Sequence, residues 1–490
     1  MKRELILGLD IGSSSVRGAL FDDRGEMLRE TFTAKQRRFS ATEDGGAELD
    51  AERAYRQVVH VIDGVLDRAS GVKGEITRIA SCSFWHSLVG IDEHGKPTTP
   101  VYGWADNRSR EYVKVLREKL DEDRVHQRTG ARFHSSFWPA KLLWLKNEAP
   151  DVWERTERWI SFADLVAMRM CGAEFRTSDS MASATGLYDL EKGDWDAELL
   201  EFLEMTPADL TEIGHSPLPL STRFTARRPR LAGALFDLTI GDGAANNVGS
   251  SCVGTRRAAL MIGTSAAVRV VYEGEPPANL PSGLWCYSTG GYTAVGGALS
   301  DGGGLYDHLK RLVNVTESDE SIAAKIASRG PDAHGLTVMP FFAGERGTGY
   351  NENARGEIIG LTMMHDAVDV LQAAMEAVAY RLAELLGQLE SLFPELEIIA
   401  SGGALTSSPV WAQIIADVLG RDISLIDEPE ASLRGAVLLA LANTGKIDLA
   451  DEISTSKNVK ISYDPDRAAI YARARKRHQA AYATRATIDQ

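Results

Sequence analysis

"LGLDIGSSSVRGAL", residues 7–20, decides how this chain folds. An apolar run from Leu5 to Leu9 ends in one carboxylate, Asp10. Gly12 and the serines 13 to 15 follow, and Val16, Ala19 and Leu20 restore the apolar pattern. The pattern predicts two strands, 5–9 and 16–21, joined by a turn of small residues. "FDDRGEMLRE" adds a second turn at Asp22 to Gly25, so the chain opens as an antiparallel meander. A charge at the end of a buried strand is costly unless something pairs with it. Beside close-packed backbone N–H groups, the partner that chemistry offers is a metal-bound phosphate.

Working outward, the stretch recurs. "IGSSSVRGAL" at 11–20 is echoed by "IGTSAAVRVV" at 262–271, an offset of 251 in a chain of 490 residues. Each copy follows one apolar strand and leads into another, which implies two similar domains, 1–246 and 247–490, with a cleft between them. Asp10 corresponds to Met261, so only the first copy carries the acid. A helical pattern at 50–68 and a short strand, "RIASCSF", continue the α/β alternation.

The totals narrow the function. Lys+Arg 54 against Asp+Glu 69 gives a net charge of −15, which argues against nucleic-acid or membrane-surface binding. An anionic substrate must therefore meet local positive charge or a metal. Cys82, Cys171, Cys252 and Cys286 show no CxxC or Cys/His metal spacing, so neither a disulfide framework nor zinc is expected. No run of 18 apolar residues exists, and a cytoplasmic protein is the expectation.

Three further segments carry chemistry. Neither GxxxxGK[ST] nor a helix-opening GxGxxG occurs, so phosphate would be cradled by the turns themselves: Gly12, Ser13 and Ser14 on one side, Gly263 and Thr264 on the other. Asp10 would hold Mg2+ directly or through its waters. In "LTIGDGAANNVGSS" (238–251) a strand ends at Gly241 and Asp242 opens a small-residue helix. Asp242 reads either as a general base or as a helix N-cap. "EIIASGGALTSSPVWAQIIADVLGR" (397–421) is a strand, a glycine pair and a helix with Ser408 at the cap, Pro409 in the first turn and Gly420 at the stop. Its glycines would let a flat ring such as adenine lie against the backbone.

Six segments in order resemble the FGGY family of carbohydrate kinases: "GLDIGSSSVRGALFD", "FWHSLVGIDEHGKPTTPVYGWADNRS", "DGAANNVGS", "IGTSAA", "PFFAGERGTGYNENARGEIIGL" and "SGGALTSSPVWAQIIADVLG". The resemblance spans residues 5 to 447. It implies two duplicated actin-like (ribonuclease H-like) domains, a sugar and ATP as substrates, Mg2+, and a homodimer. Asp242 would be the general base and Asp10 the metal ligand. Gly12, Ser13, Ser14, Gly263, Thr264 and Gly303 would meet the nucleotide phosphates. Gly402, Gly403, Ala404 and Ser407 would border the adenine.

On the sugar side the resemblance points to His86 of "FWHSL" and to Trp104, Asp106 and Arg108 of "GWADNRS", a motif similar to that of gluconokinases. Conversion of gluconate to 6-phosphogluconate is the implied reaction, a xylulose or polyol kinase the alternative, and an actin-like ATPase without a sugar acceptor the alternative of another class. Gluconate bears a carboxylate, so Arg108, Lys141 and His134 are its candidate cations. The sugar is expected mostly against the first half. The long stretch 365–390 reads as a core helix. The basic 464–486 stretch reads as a helix packed through Ile470 and Tyr471.

Overall fold

The computed structural model describes residues 3–449 and 458–488. The opening meander is β1 (Glu4–Ile11), β2 (Ser15–Asp22) and β3 (Met27–Gln36), followed by α1 (Ala51–Arg68) and β4 (Glu75–Ser83). β1 pairs antiparallel with β2, Ile11 facing Val16, and parallel with β4, which sets Asp10 beside Cys82. The sheet order β4-β1-β2-β3 puts β1 at its centre, and the side chains from Leu5 to Leu9 are all buried. A short fifth strand, β5 (Ile240–Gly241), lies parallel to the end of β4 and leads directly into α2 (Asp242–Gly249).

The second half repeats this plan. β6 (Arg257–Ile262), β7 (Ala266–Glu273), β8 (Trp285–Thr289) and β9 (Tyr292–Leu299) precede α3 (Gly303–Leu312), α4 (Asp319–Arg329) and α5 (Ala367–Glu390). Then come β10 (Glu397–Ser401), α6 (Gly403–Ser407), α7 (Pro409–Leu419), β11 (Ile423–Ile426), α8 (Ala431–Asn443), β12 (Asn458–Ile461) and α9 (Pro465–Ile488). β6 sits antiparallel to β7, Ile262 facing Ala266, and parallel to β10, with Met261 beside Ser401. Asp10 and Met261 thus occupy equivalent register positions in two equivalent sheets. α5 is capped by a reciprocal Asp366/Asp369 box, and its expected core positions Val370, Leu371, Ala374, Val378, Leu382 and Leu385 are buried. α9 packs through Tyr471, Ala474 and His478, at helical spacing, while Ile470 is only half-buried.

The boundary at 246/247 falls inside α2, and the halves trade their connecting helices. α2 docks on the second sheet: the Asn247 amide donates to the Arg269 carbonyl oxygen at 3.1 Å, and Arg269 Nε donates back to Asn247 Oδ1 at 3.1 Å. α8 docks on the first sheet, where Leu433, Val437 and Leu441 share a buried cluster with Ile6, Ala19, Phe21 and Ala80. Each of those three side chains is worth about 1.5–3 kcal/mol of burial. α2 and α8 touch through two glycines. A Cβ on Gly249 would overlap the Ala431 carbonyl, and one on Gly435 the Ala245 carbonyl. Only glycine at both positions lets the helix backbones meet.

Candidate active site

Where the two sheets face each other, a cavity of about 570 Å3 is lined by Asp10, Gly12, Ser13 and Ser14 from the first turn and by Gly263 and Thr264 from the second. Asp242 lines it from the start of α2. Gly241, not Asp242, holds the cap position of that helix, so the cap reading of Asp242 falls. Gly241 and Gly243 are required by packing, because a Cβ on either would strike the Trp85 ring. That ring is held in turn by a 3.0 Å bond from its Nε1 to the Ser180 carbonyl.

The two acids share one electrostatic problem. Burial, with the neighbouring Asp10 charge, pushes the Asp242 carboxyl up to about 7. Burial pushes Asp10 up to about 6, with Arg17 pulling the other way. The one hydrogen-bond donor that approaches an Asp10 oxygen among the described residues is the Cys82 thiol, at 3.6 Å. Two close carboxylates with open lone pairs in a partly buried site are matched by a divalent cation, so the donor set fits Mg2+.

Cations border the acids. Arg17 pairs with Glu430 at 2.8 Å, tying β2 to the start of α8. Arg37 donates to the Gly12 carbonyl oxygen and lies beside the stacked Phe84 and Phe162 rings, 5.3 and 5.2 Å from their centroids. Burial lowers both Arg37 and Arg269 to about 10, so both stay charged at neutral pH. Arg37 belongs to no motif of the sequence, and Arg269, although inside the 262–271 echo, carries no signal of its own there.

The same cavity continues to an aromatic chamber. His86, at φ 66°, is half-buried, and its Nδ1 lies 2.6 Å from the Ala184 carbonyl oxygen. A carbonyl only accepts, so Nδ1 carries the proton and Nε2 keeps its lone pair. Burial lowers this histidine to about 3, which keeps it neutral. Trp85 and Trp104 line the chamber as well, whereas Trp138 is core. Trp285 and Tyr287, stacked 4.4 Å apart, join Arg346 and Tyr350 in completing the wall. These four come from the second half, so both halves contribute to the chamber. Arg346 lies 4.5 Å over the Trp104 ring and donates to the Leu299 carbonyl at 3.0 Å; its buried Nε has no partner.

Asp106 and Arg108 stand elsewhere. Arg108 folds back on Asp106, reaches Glu48 at 3.0 Å, and lies over Tyr102 and Trp144. Asp106 also accepts from the Ala47 N–H at 3.0 Å. Neither lines the cavity, because their two-residue spacing lets them satisfy each other. Lys141 is buried and spent on the Ser135 carbonyl, with burial lowering it to about 8. His134 bonds Ser136 at 2.9 Å. These expected cations thus stand one layer behind the cavity, whose own arginines include Arg37, Arg269 and Arg346.

A second cavity, about 960 Å3, opens from the same Gly263–Thr264 turn. Gly303, Gly403, Ala404 and Ser407 line it together with apolar Ile322, Met375 and Trp411. The Gly303 and Gly304 N–H groups donate to the Gly263 and Thr264 carbonyls at 2.7 and 3.0 Å, which anchors the turn on α3. Gly402 does not line the cavity; at φ 102° it presses on the Ile262 backbone, where a Cβ would clash. Ser408 caps α7 as expected, Pro409 follows it, and Gly420 ends the helix in the left-handed conformation.

This architecture, a duplicated sheet pair with two acids in the cleft and a glycine-bordered cavity beside it, is that of a phosphoryl-transfer enzyme. Residues 5–219 match the N-terminal domain, and residues 258–444 the C-terminal domain, of the FGGY family of carbohydrate kinases, and the chain belongs to that family. It is an ATP-dependent sugar kinase. It is 29% identical over 469 residues to a gluconokinase of Bacillus subtilis (strain 168), covering 92% of this chain and 89% of that one. The fold matches a crystal structure of gluconate kinase from Lactobacillus acidophilus with TM-score 0.88 at 25% identity, over 98% of each chain. A ligand-bound xylulose kinase from the same organism matches with the same TM-score and identity, over 99% of this chain and 98% of that one. No helix among the described residues is long and apolar enough to cross a membrane, and all four cysteines are free.

Proposed function

We propose that this kinase phosphorylates gluconate, giving 6-phosphogluconate, with Asp242 as the general base. The observation that carries the acid substrate is Arg346: a half-buried guanidinium whose buried Nε has no partner, stacked on Trp104, in the aromatic chamber. A sugar carboxylate would meet it by charge-assisted hydrogen bonding, worth about 1.5–3 kcal/mol. The match to gluconokinases over nearly the whole chain points the same way.

In this reading ATP places its base in the larger cavity against Gly403, Ala404 and Ser407. Its phosphates run past Gly303 and the Gly263–Thr264 turn toward Gly12, Ser13 and Ser14. Asp10 would hold the magnesium, which neutralises phosphate charge when bound. His86 Nε2 accepts a hydrogen bond from a sugar hydroxyl, and the aromatic wall covers the apolar sugar face. Asp242 takes the proton of the attacking hydroxyl; with its carboxyl raised to about 7 it is matched to neutral pH. Arg346 and Arg269 stand beside it and steady the developing negative charge.

The xylulose-kinase likeness, equal in TM-score, sustains a ketose as the second reading. A coupled ADP-release assay with gluconate, xylulose, ribulose and glycerol separates the two. Gluconate is expected to give the highest kcat/KM, and Arg346→Gln to raise its KM about tenfold or more while changing that for xylulose far less. Preferred turnover of xylulose, or equal losses for both sugars, overturns the gluconate assignment.

A further inference from the structure

Away from the cleft, a groove of about 790 Å3 opens on the first half. It runs between α1, the turn at 91–95, the segment 157–175 and the segment 221–228. Its floor is apolar, with Val59, Ile91, Met168, Phe175 and Phe224. Six arginines line it, in a chain whose net charge is −15. Two of them are neutralised. Arg169 meets Glu52 at 2.5 Å, and Arg228 grips Asp63 through bonds of 2.7 and 3.0 Å.

The other four, Arg56, Arg158, Arg223 and Arg227, have no carboxylate partner among the described residues. Arg158 Nε is buried and bonds to nothing, and its guanidinium lies 5.9 Å from the Phe175 ring. The nearby acids are mostly engaged. Glu52 is taken by Arg169, and Asp92 accepts from the N–H groups of His94 and Lys96 at 2.9 and 2.8 Å. Glu93 faces His94 at 3.5 Å, and Glu157 is exposed at the rim.

A buried donor without an acceptor is costly, and the six arginines of the lining outnumber its four carboxylates. An anion with several oxygens relieves both, and guanidinium forks match phosphate oxygens in geometry. The apolar floor and bounded volume suit a small molecule, and the net negative charge of the chain disfavours an extended polyanion. We infer that this groove binds a small anion carrying two or more phosphate charges, at a site separate from the cleft that holds Asp10 and Asp242.

Equilibrium dialysis of the full chain with radiolabelled inorganic pyrophosphate, the cleft filled by saturating ADP, reads the groove by itself. A single bound pyrophosphate per chain is the expected result. In Arg223→Ser/Arg227→Ser its Kd should weaken about tenfold or more, while kcat and both KM values in the absence of pyrophosphate stay unchanged. Both side chains are exposed, so their loss leaves the fold intact. No binding with the cleft filled, or equal binding by the double variant, overturns the inference.

Discussion

The turn at 11–15 and the turn at 262–266 are built alike: antiparallel partner on one side, parallel partner on the other, glycine and hydroxyl residues at the tip. They differ at the position before the tip, where one has Asp10 and the other Met261. The difference teaches that duplication supplies the frame and that asymmetry supplies the chemistry. Two acids at matching positions would face the same phosphate chain and repel it. One acid beside one neutral turn leaves room for a cation on a single side.

The largest expected effect is at the other cleft acid, which opens α2. Asp242→Ala should lower kcat by about 10²-fold or more while ADP affinity, measured by calorimetry, is retained. Turnover that survived would remove Asp242 from the base role. Next in size is the contact that joins the halves. Gly435→Ala forces a Cβ into the Ala245 carbonyl and should cost about 1–3 kcal/mol. Gly387→Ala, with open space around it in α5, should be neutral or stabilising by up to about 1 kcal/mol. Urea midpoints at constant m compare the two, and equal shifts would deny the glycine contact its role.

Symmetrising the turns is the third intervention. Met261→Asp should raise the KM for ATP about tenfold, or about 1.4 kcal/mol, and leave that for the sugar unchanged. An unaffected KM would mean that this turn does not meet phosphate. The smallest effect concerns pH. Because the Asp242 carboxyl is raised to about 7, kcat/KM should fall as pH drops below that value and the base takes up its proton. Asp10 contributes to that rise through like charge, so Asp10→Asn should move the limb to lower pH by less than about one unit. A limb that stays in place would show the two carboxyls to be uncoupled.

Much of this was legible along the chain because it is local. The hairpin at 7–20, its echo at 262–271, the Ser408–Pro409–Gly420 signals of α7 and the strand-to-helix step at Asp242 all depend on neighbours a few residues apart. What escaped depends on distant segments meeting. Arg346 and Tyr350 belong to the quoted 340–361 segment, but no local pattern states that they converge with Trp285 and Tyr287 on one aromatic chamber. The Arg108 reading failed for a visible reason, since Asp106 two residues earlier is an available partner. The docking of α8 on the first sheet escaped because its apolar face would suit either sheet.

That docking decides what happens when the chain is cut. Severed before Glu430, the long piece 1–429 would present Ile6, Ala19, Phe21 and Ala80 as a bare greasy trough, and the remainder would carry a helix with nothing to lie on. Neither fragment is a self-sufficient folding unit, so the two would be recovered in native form only when supplied together.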